Sequence, residues 1–382
     1  MTFVPLWYIL ITILWTGFFV LEGFDLGVGM LHGIVGQDDA GKRAVINTIG
    51  PLWDGNEVWL IVAGAAMFAA FPGWYATMFS AFYLAMVLLL GALIVRGTSF
   101  EYRGKSPGER WRATWDWLLA IGSLLVPLVI GIALGDLLHG LPINSGHEYT
   151  GTFWGLFQPY AILTGIMLVA VCVMHGGVFI AMKTDGEVRA RAFRIARLVS
   201  PVTALLVLAF IGWTHVEAHG GAFLNLIELV ACIAAVAALL AVTGNHVGWG
   251  FTATTVTIAS CIVTLFVDLY PRVMVSSTSP AYSLTVNNTA SAGYTLKVMS
   301  VIALVLLPLV LGYQAWTYYV FRRRVSVHHF RPGAAPTLPA PTTPAPTAPT
   351  IPPQQQAVPA APEPAPSGSR RGGRHRHWRG RT

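Results

Sequence analysis

Apolar runs of about 20 residues recur along this chain, each long enough to cross the hydrocarbon core of a bilayer as a helix. Nine can be read: 6–34, 51–71, 76–96, 115–138, 155–182, 198–215, 222–244, 250–270 and 294–321. The runs are continuous and do not alternate, which excludes a transmembrane barrel. With 54% hydrophobic and 11% charged residues, the chain is an all-α, polytopic membrane protein of about nine spans. Glycine and proline inside the runs do not count against them, because bilayer helices tolerate both. Gly23-x3-Gly27, Gly29-x3-Gly33 and Gly131-x3-Gly135 are candidate faces for close helix approach.

Charge gives the orientation and divides the chain in two. Lys42 and Arg43 follow the first run, and Arg96, Arg103, Lys105, Arg110 and Arg112 follow the third. Lys183, Arg189, Arg191, Arg194 and Arg197 follow the fifth, and Arg322, Arg323 and Arg324 the ninth. Connections after the even runs hold only Arg272. The positive-inside rule then puts the N-terminus outside and the C-terminus in the cytoplasm. Net charge is −2 over residues 1–321 and +9 over 322–382, so the basic character belongs to the tail. We expect a transmembrane domain over 1–321. A disordered Pro/Ala/Thr-rich tail with an Arg-rich end follows over 322–382, suited to lipid headgroups and not to nucleic acid. The first run carries Glu22 and Asp25 and lacks a basic leader, so no cleavable signal peptide is expected. The loop over 271–293, rich in Ser, Thr and Asn, is the longest outer connection.

Acidic side chains inside apolar runs need an account, since hydrocarbon penalises them unless they are paired, protonated or wetted. Glu22 and Asp25 share a helical face by their spacing, as do Asp54 and Glu57 at the head of the second run. Arg96 ends the third run, and Glu101 lies five residues on. Such a set suits either a proton-conducting chain or ion pairs that pin helices, and the residues alone leave both open. Asp116, between Trp115 and Trp117, reads as an interfacial belt residue. Asp136, Glu228 and Asp268 have no assigned role.

Histidine and cysteine chemistry is thin. His32, His139, His147, His175 and His246 sit in or near the runs without a haem-attachment motif. His215 and His219 are four apart, as two metal ligands on one helical turn would be, but a polar helix end is the plainer reading. Cys172, Cys232 and Cys261 are spaced for neither disulfides nor zinc.

The stretch Trp53-Asp54-Gly55-Asn56-Glu57-Val58-Trp59 resembles subunit II of the cytochrome bd-type quinol oxidases. So do Gly23-Phe24-Asp25-Leu26-Gly27-Val28-Gly29 and Arg96-Gly97-Thr98-Ser99-Phe100-Glu101. The likeness extends to Trp115-Asp116-Trp117 and to Tyr270-Pro271 with Ser276-Ser277-Thr278. It implies two four-helix bundles plus one extra helix, in a heterodimer with a haem-bearing subunit I. That partner would carry two b haems and haem d, and this chain would bind no haem or metal. The complex would oxidise quinol, reduce dioxygen to water and build a proton-motive force across the bacterial cytoplasmic (inner) membrane. The resemblance also allows a quinone held as a structural lipid and a small accessory membrane subunit.

By the family pattern Asp25, Asp54, Arg96 and Glu101 form the cytoplasmic proton path, with Glu22 and Glu57 beside them. Trp53, Gly55, Asn56, Trp59, Gly23 and Gly27 would pack helices or meet the partner. The family often has Asp where this chain has Glu22, and the basic tail has no family counterpart. Two rivals are a pure scaffold, whose acids only pin helices, and a secondary transporter. The transporter is disfavoured by the lack of an internal repeat.

Overall fold

In the computed structural model, residues 3–218 and 224–331 are described; His219 and the tail from 332 onward lie outside them. The helices run in the order α1 (Val4–Val35), α2 (Asp39–Asn47), α3 (Trp53–Ala70), α4 (Pro72–Ala81), α5 (Tyr83–Tyr102) and α6 (Glu109–His139). There follow α7 (Pro159–Lys183), α8 (Gly186–Ala218), α9 (Leu226–Thr243), α10 (Val247–Leu269) and α11 (Gly293–Val320). Eight of these are long and apolar enough to cross a membrane by length and composition. The 18-residue α3 is outside that set; it is the helix that carries Asp54, Asn56 and Glu57.

Three details depart from the reading of the runs. The third run, expected over 76–96, is α4 and α5 separated at Phe82, a buried residue that leaves helical geometry at φ −97°, ψ 20°. The second run, expected from residue 51, becomes helical only at Trp53, with Pro51 in the turn ahead of α3. The amphipathic α2 lies in the connection between the first two runs, capped by Asp38, whose carboxylate accepts from the Gly41 amide at 2.7 Å.

Helix α1 is the centre of the packing, lying against α3, α6, α7 and α10. Glycine decides how closely. A Cβ on Gly27 would overlap the Cys172 carbonyl and the Gly176 Cα, so α1 and α7 cross backbone to backbone there. Gly131 and Gly135 do the same for α6 against Gly165 and Ala161 of α7. Gly29 sits against Ser123, whereas Gly33 faces open space and Gly23 has only ordinary contacts from 3.5 Å. Gly23→Ala should therefore change stability by no more than about 0.5 kcal/mol. Gly27→Ala should cost about 1–3 kcal/mol through overpacking. A thermal melt of the two purified variants checks the contrast.

The segments following α1, α5, α7 and α11 gather at one end. The Val325 amide donates to the Lys183 carbonyl, Arg191 Nε to the Val35 carbonyl, and Arg103 and Arg112 both reach Asp39. At the other end, the 271–293 connection forms a short antiparallel ribbon, β1 (Arg272–Met274) with β2 (Leu284–Thr285). It covers the ends of α6 and α3: the Val275 amide donates to the Leu137 carbonyl and Ser291 Oγ to the Ala69 carbonyl.

Candidate functional site

Polar side chains from α1, α3, α5 and α11 meet inside the protein, toward the end where α1 finishes. Glu22, Asp25, Asn56 and Arg96 are completely buried. Arg96 approaches two acids from two helices: Nη2 is 2.7 Å from Glu22 Oε1, and Nη1 donates to Glu57 Oε2 at 3.0 Å. The first contact is an ion pair that lacks hydrogen-bond alignment, so Glu22 accepts no aligned bond from protein. Glu22 and Asp25, one turn apart on α1, are close enough to hydrogen-bond once one of them holds a proton.

Asn56 reaches Asp25 from α3. Its Nδ2 donates to Asp25 Oδ2 at 2.6 Å and to the Leu21 carbonyl at 3.3 Å. Its Oδ1 accepts from Gln314 Nε2 and from the Tyr318 hydroxyl, both at 2.9 Å. Asn56 thereby joins α11 to the acid on α1. Gln314 and Tyr318 were missed, although their four-residue spacing in an apolar run placed them on one face.

An aromatic pair lies between Arg96 and a surface cleft. The Arg96 guanidinium lies 5.3 Å from the Phe100 ring, and Phe100 stacks on Trp53 with centroids 4.9 Å apart. Beyond them opens a cleft of about 530 Å³, on whose rim Glu101 is exposed beside Arg43, Arg103 and Asp39. Asp54 lies outside the buried cluster, exposed on the side of α3 that also shows Gly55, Val58 and Ile61. Trp59 lies across Gly17 of α1, where a Cβ would collide with the indole. Thus Glu22, Asp25, Glu57 and Arg96 are brought together, while Asp54 and Glu101 flank them.

The profile of the cytochrome bd terminal oxidase subunit II family matches residues 4–321. The chain belongs to that family. Cytochrome bd ubiquinol oxidase subunit 2 of Bacillus subtilis (strain 168) is 42% identical over 325 residues, covering 84% of this chain and 96% of the relative. The cytochrome bd-I ubiquinol oxidase subunit 2 of Escherichia coli (strain K12) is 37% identical over 359 residues, 84% of this chain and 94% of the relative. In fold, the chain is similar to bd oxidase from Geobacillus thermodenitrificans, with a TM-score of 0.65 at 15% identity. That likeness covers 84% of this chain and 99% of the other. Family and apolar helices together make this a multi-pass bacterial membrane protein.

A second polar network in this subunit II chain corrects the reading of Asp116. Instead of belonging to an aromatic belt, Asp116 is mostly buried and accepts from Arg103 Nε at 2.5 Å and Lys42 Nζ at 3.0 Å, with His32 Nε2 at 3.2 Å. Arg103 continues to Asp39, which also meets Arg112. The network ties α1, α2, α5 and α6 where their connections converge.

Asp136, Glu217, Glu228 and Asp268 sit toward the opposite end. Glu228 closes a capping box with Asn225 at the start of α9 and meets His215 Nδ1 at 3.0 Å. Asn225 Nδ2 donates to Asp268 at 2.7 Å, and Glu217 faces His139 at 3.2 Å. Asp136 is buried, and among the described residues neither carboxyl oxygen has a hydrogen-bond partner. His175 is buried, its Nδ1 2.7 Å from Thr254 Oγ1, and its ring stacks on Phe251. Among the described residues, no three His, Cys, Asp or Glu side chains converge where a metal ion could sit. His219, four residues from His215, lies outside those residues.

Proposed function

We propose that this chain is the haem-free subunit II of a quinol:dioxygen oxidoreductase of the bacterial cytoplasmic membrane. It would stabilise a haem-bearing subunit I and deliver protons to it. Family membership and the names of the relatives support the oxidase assignment. In this reading α3 joins the eight apolar helices as a ninth span. The bundles are α1, α3, α5 and α6 on one side and α7 to α10 on the other, with α11 extra. The end gathering Lys42, Arg103 and Lys183 faces the cytoplasm. Quinol oxidation and dioxygen reduction take place on the partner, where two b haems and haem d supply the electron chemistry.

The observation that carries the proton role is the pair of buried carboxyls, Glu22 and Asp25, gathered with the half-buried Glu57 near one guanidinium, next to a polar cleft. One arginine neutralises one carboxylate, so the set is neutral only when it also holds protons. Glu101 on the cleft rim collects a proton, and Glu57 and Glu22 pass it along Arg96 to Asp25. The Trp53–Phe100 pair keeps bulk water from short-circuiting the step. Asp54, on the exposed side of α3, hands protons to the partner surface.

The test is purification through a tag on this chain, co-expressed with a subunit I, followed by a reduced-minus-oxidised spectrum and oxygen consumption. Bands of b- and d-type haem are the expected result. Asp54→Asn should lower turnover several-fold at unchanged haem content, because an exposed residue with no ion pair among the described residues contributes little to assembly. A pure scaffold predicts the reverse, unaltered rate in whatever complex assembles. A colourless single chain that persists beside a co-expressed subunit I would sink the oxidase reading and restore the transporter.

A further inference from the structure

The last helix is held loosely, and its two polar anchors have a specific target. Of α11, only Leu296 is buried. Its hydrogen-bonded ties to the other helices are at Trp7, whose Nε1 donates to the Leu296 carbonyl and Ser300 Oγ, and at Asn56, which accepts from Gln314 and Tyr318. Leu311 and Trp316, by contrast, are exposed along the same helix.

These contacts fix which way the Asn56 amide faces. Its oxygen receives two donors, and its nitrogen meets two acceptors, Asp25 Oδ2 and the Leu21 carbonyl. Rotating the amide by half a turn would set its oxygen against a carboxylate and a carbonyl, and its NH2 against the Gln314 amide and the Tyr318 hydroxyl. Two acceptors, Asp25 Oδ2 and the Leu21 carbonyl, would then face an oxygen with no proton between them. An amide of this sort next to an acid distinguishes the two carboxyl oxygens. Oδ2 is committed as an acceptor, and Oδ1 is buried with no hydrogen-bond partner among the described residues.

We propose that Gln314 and Tyr318 are positioning residues for Asp25, acting through the Asn56 amide so that the mobile proton resides on Asp25 Oδ1. The inference rests on the proton-path reading above and adds to it the last helix and the identity of the proton-bearing oxygen. The step is a proton transfer alone: an O–H bond forms at Asp25 Oδ1 as one breaks at the Glu22 carboxyl, or the reverse, and no electrons change hands. Movement of α11 would thereby alter Asp25 without touching it.

The experiment uses the assembled complex with subunit I, read by infrared difference spectroscopy and by oxygen consumption. The carboxyl C=O band of Asp25 is identified by its disappearance in Asp25→Asn. Tyr318→Phe combined with Gln314→Leu should shift that band and slow turnover about three- to tenfold. In an Asn56→Leu background the same pair should leave the band in place and change the rate by less than about a further factor of two, because the mediator is gone. Should the paired variant fail to assemble, Tyr318→Phe alone deletes one hydroxyl, keeps the ring and is read the same way. An unshifted band beside a slow Asp25→Asn would overturn the positioning role only. A full rate in Asp25→Asn would overturn the proton path beneath it.

Discussion

Asp25→Asn is expected to leave the oxidase assembled, with its full haem content, while quinol-driven oxygen consumption falls by about tenfold or more. The substitution is nearly isosteric. Its side-chain oxygen can still accept from Asn56 Nδ2, the bond that now measures 2.6 Å. The ion pairs of Arg96 with Glu22 and Glu57 do not involve Asp25, so helix pairing is preserved. What is lost is the capacity to hold and release a proton. Packing and protonation are thus separated in one variant, which a change to alanine would not do. The measurement is the rate per haem d at saturating quinol, beside the wild type. A rate above half of wild type would mean that protons bypass Asp25, and the buried acids would then be structural.

The eight long apolar helices were legible because hydrocarbon imposes length and polarity on every segment that crosses it. The finer site was legible only in part. Glu22 and Asp25 were read as one face of α1, and both are indeed buried together. Asp54 and Glu57 have the same spacing, yet only Glu57 reaches Arg96. Residues three apart differ by about 60° around a helix. That angle keeps both inside on the central α1 but carries one over the edge on α3, which has an exposed side. Asn56 shows a second limit: its partner Gln314 lies 258 positions away, and nothing local in the sequence announces the pairing. Asp116 shows a third. Flanking tryptophans suggested a belt, whereas the return of several basic connections to one end turned it into the sink for Arg103 and Lys42. In each case long-range packing, absent from a local reading, decided the outcome.

Arg96→Leu should have the largest effect of any single substitution in this chain, and on assembly more than on rate. The side chain is completely buried and contacts Glu22 from α1 and Glu57 from α3 while standing on α5. Leucine fills part of the volume but leaves the Glu22 carboxyl, itself fully buried, with no cation. Removing one partner of a buried pair costs about 3–5 kcal/mol, because the other charge stays desolvated and uncompensated. That is a large share of the stability of a typical domain. Membranes should therefore contain little haem-bearing complex, read as loss of the d-type band per milligram of protein. Arg96→Lys keeps a charge but cannot hold both acids in the forked geometry of a guanidinium, so it should assemble partially. Combining Arg96→Leu with Glu22→Gln removes the stranded charge and should recover part of the complex without recovering its rate. If the double variant assembled no better than Arg96→Leu alone, the arginine would be acting through packing against Phe100 and Gly122, not through charge.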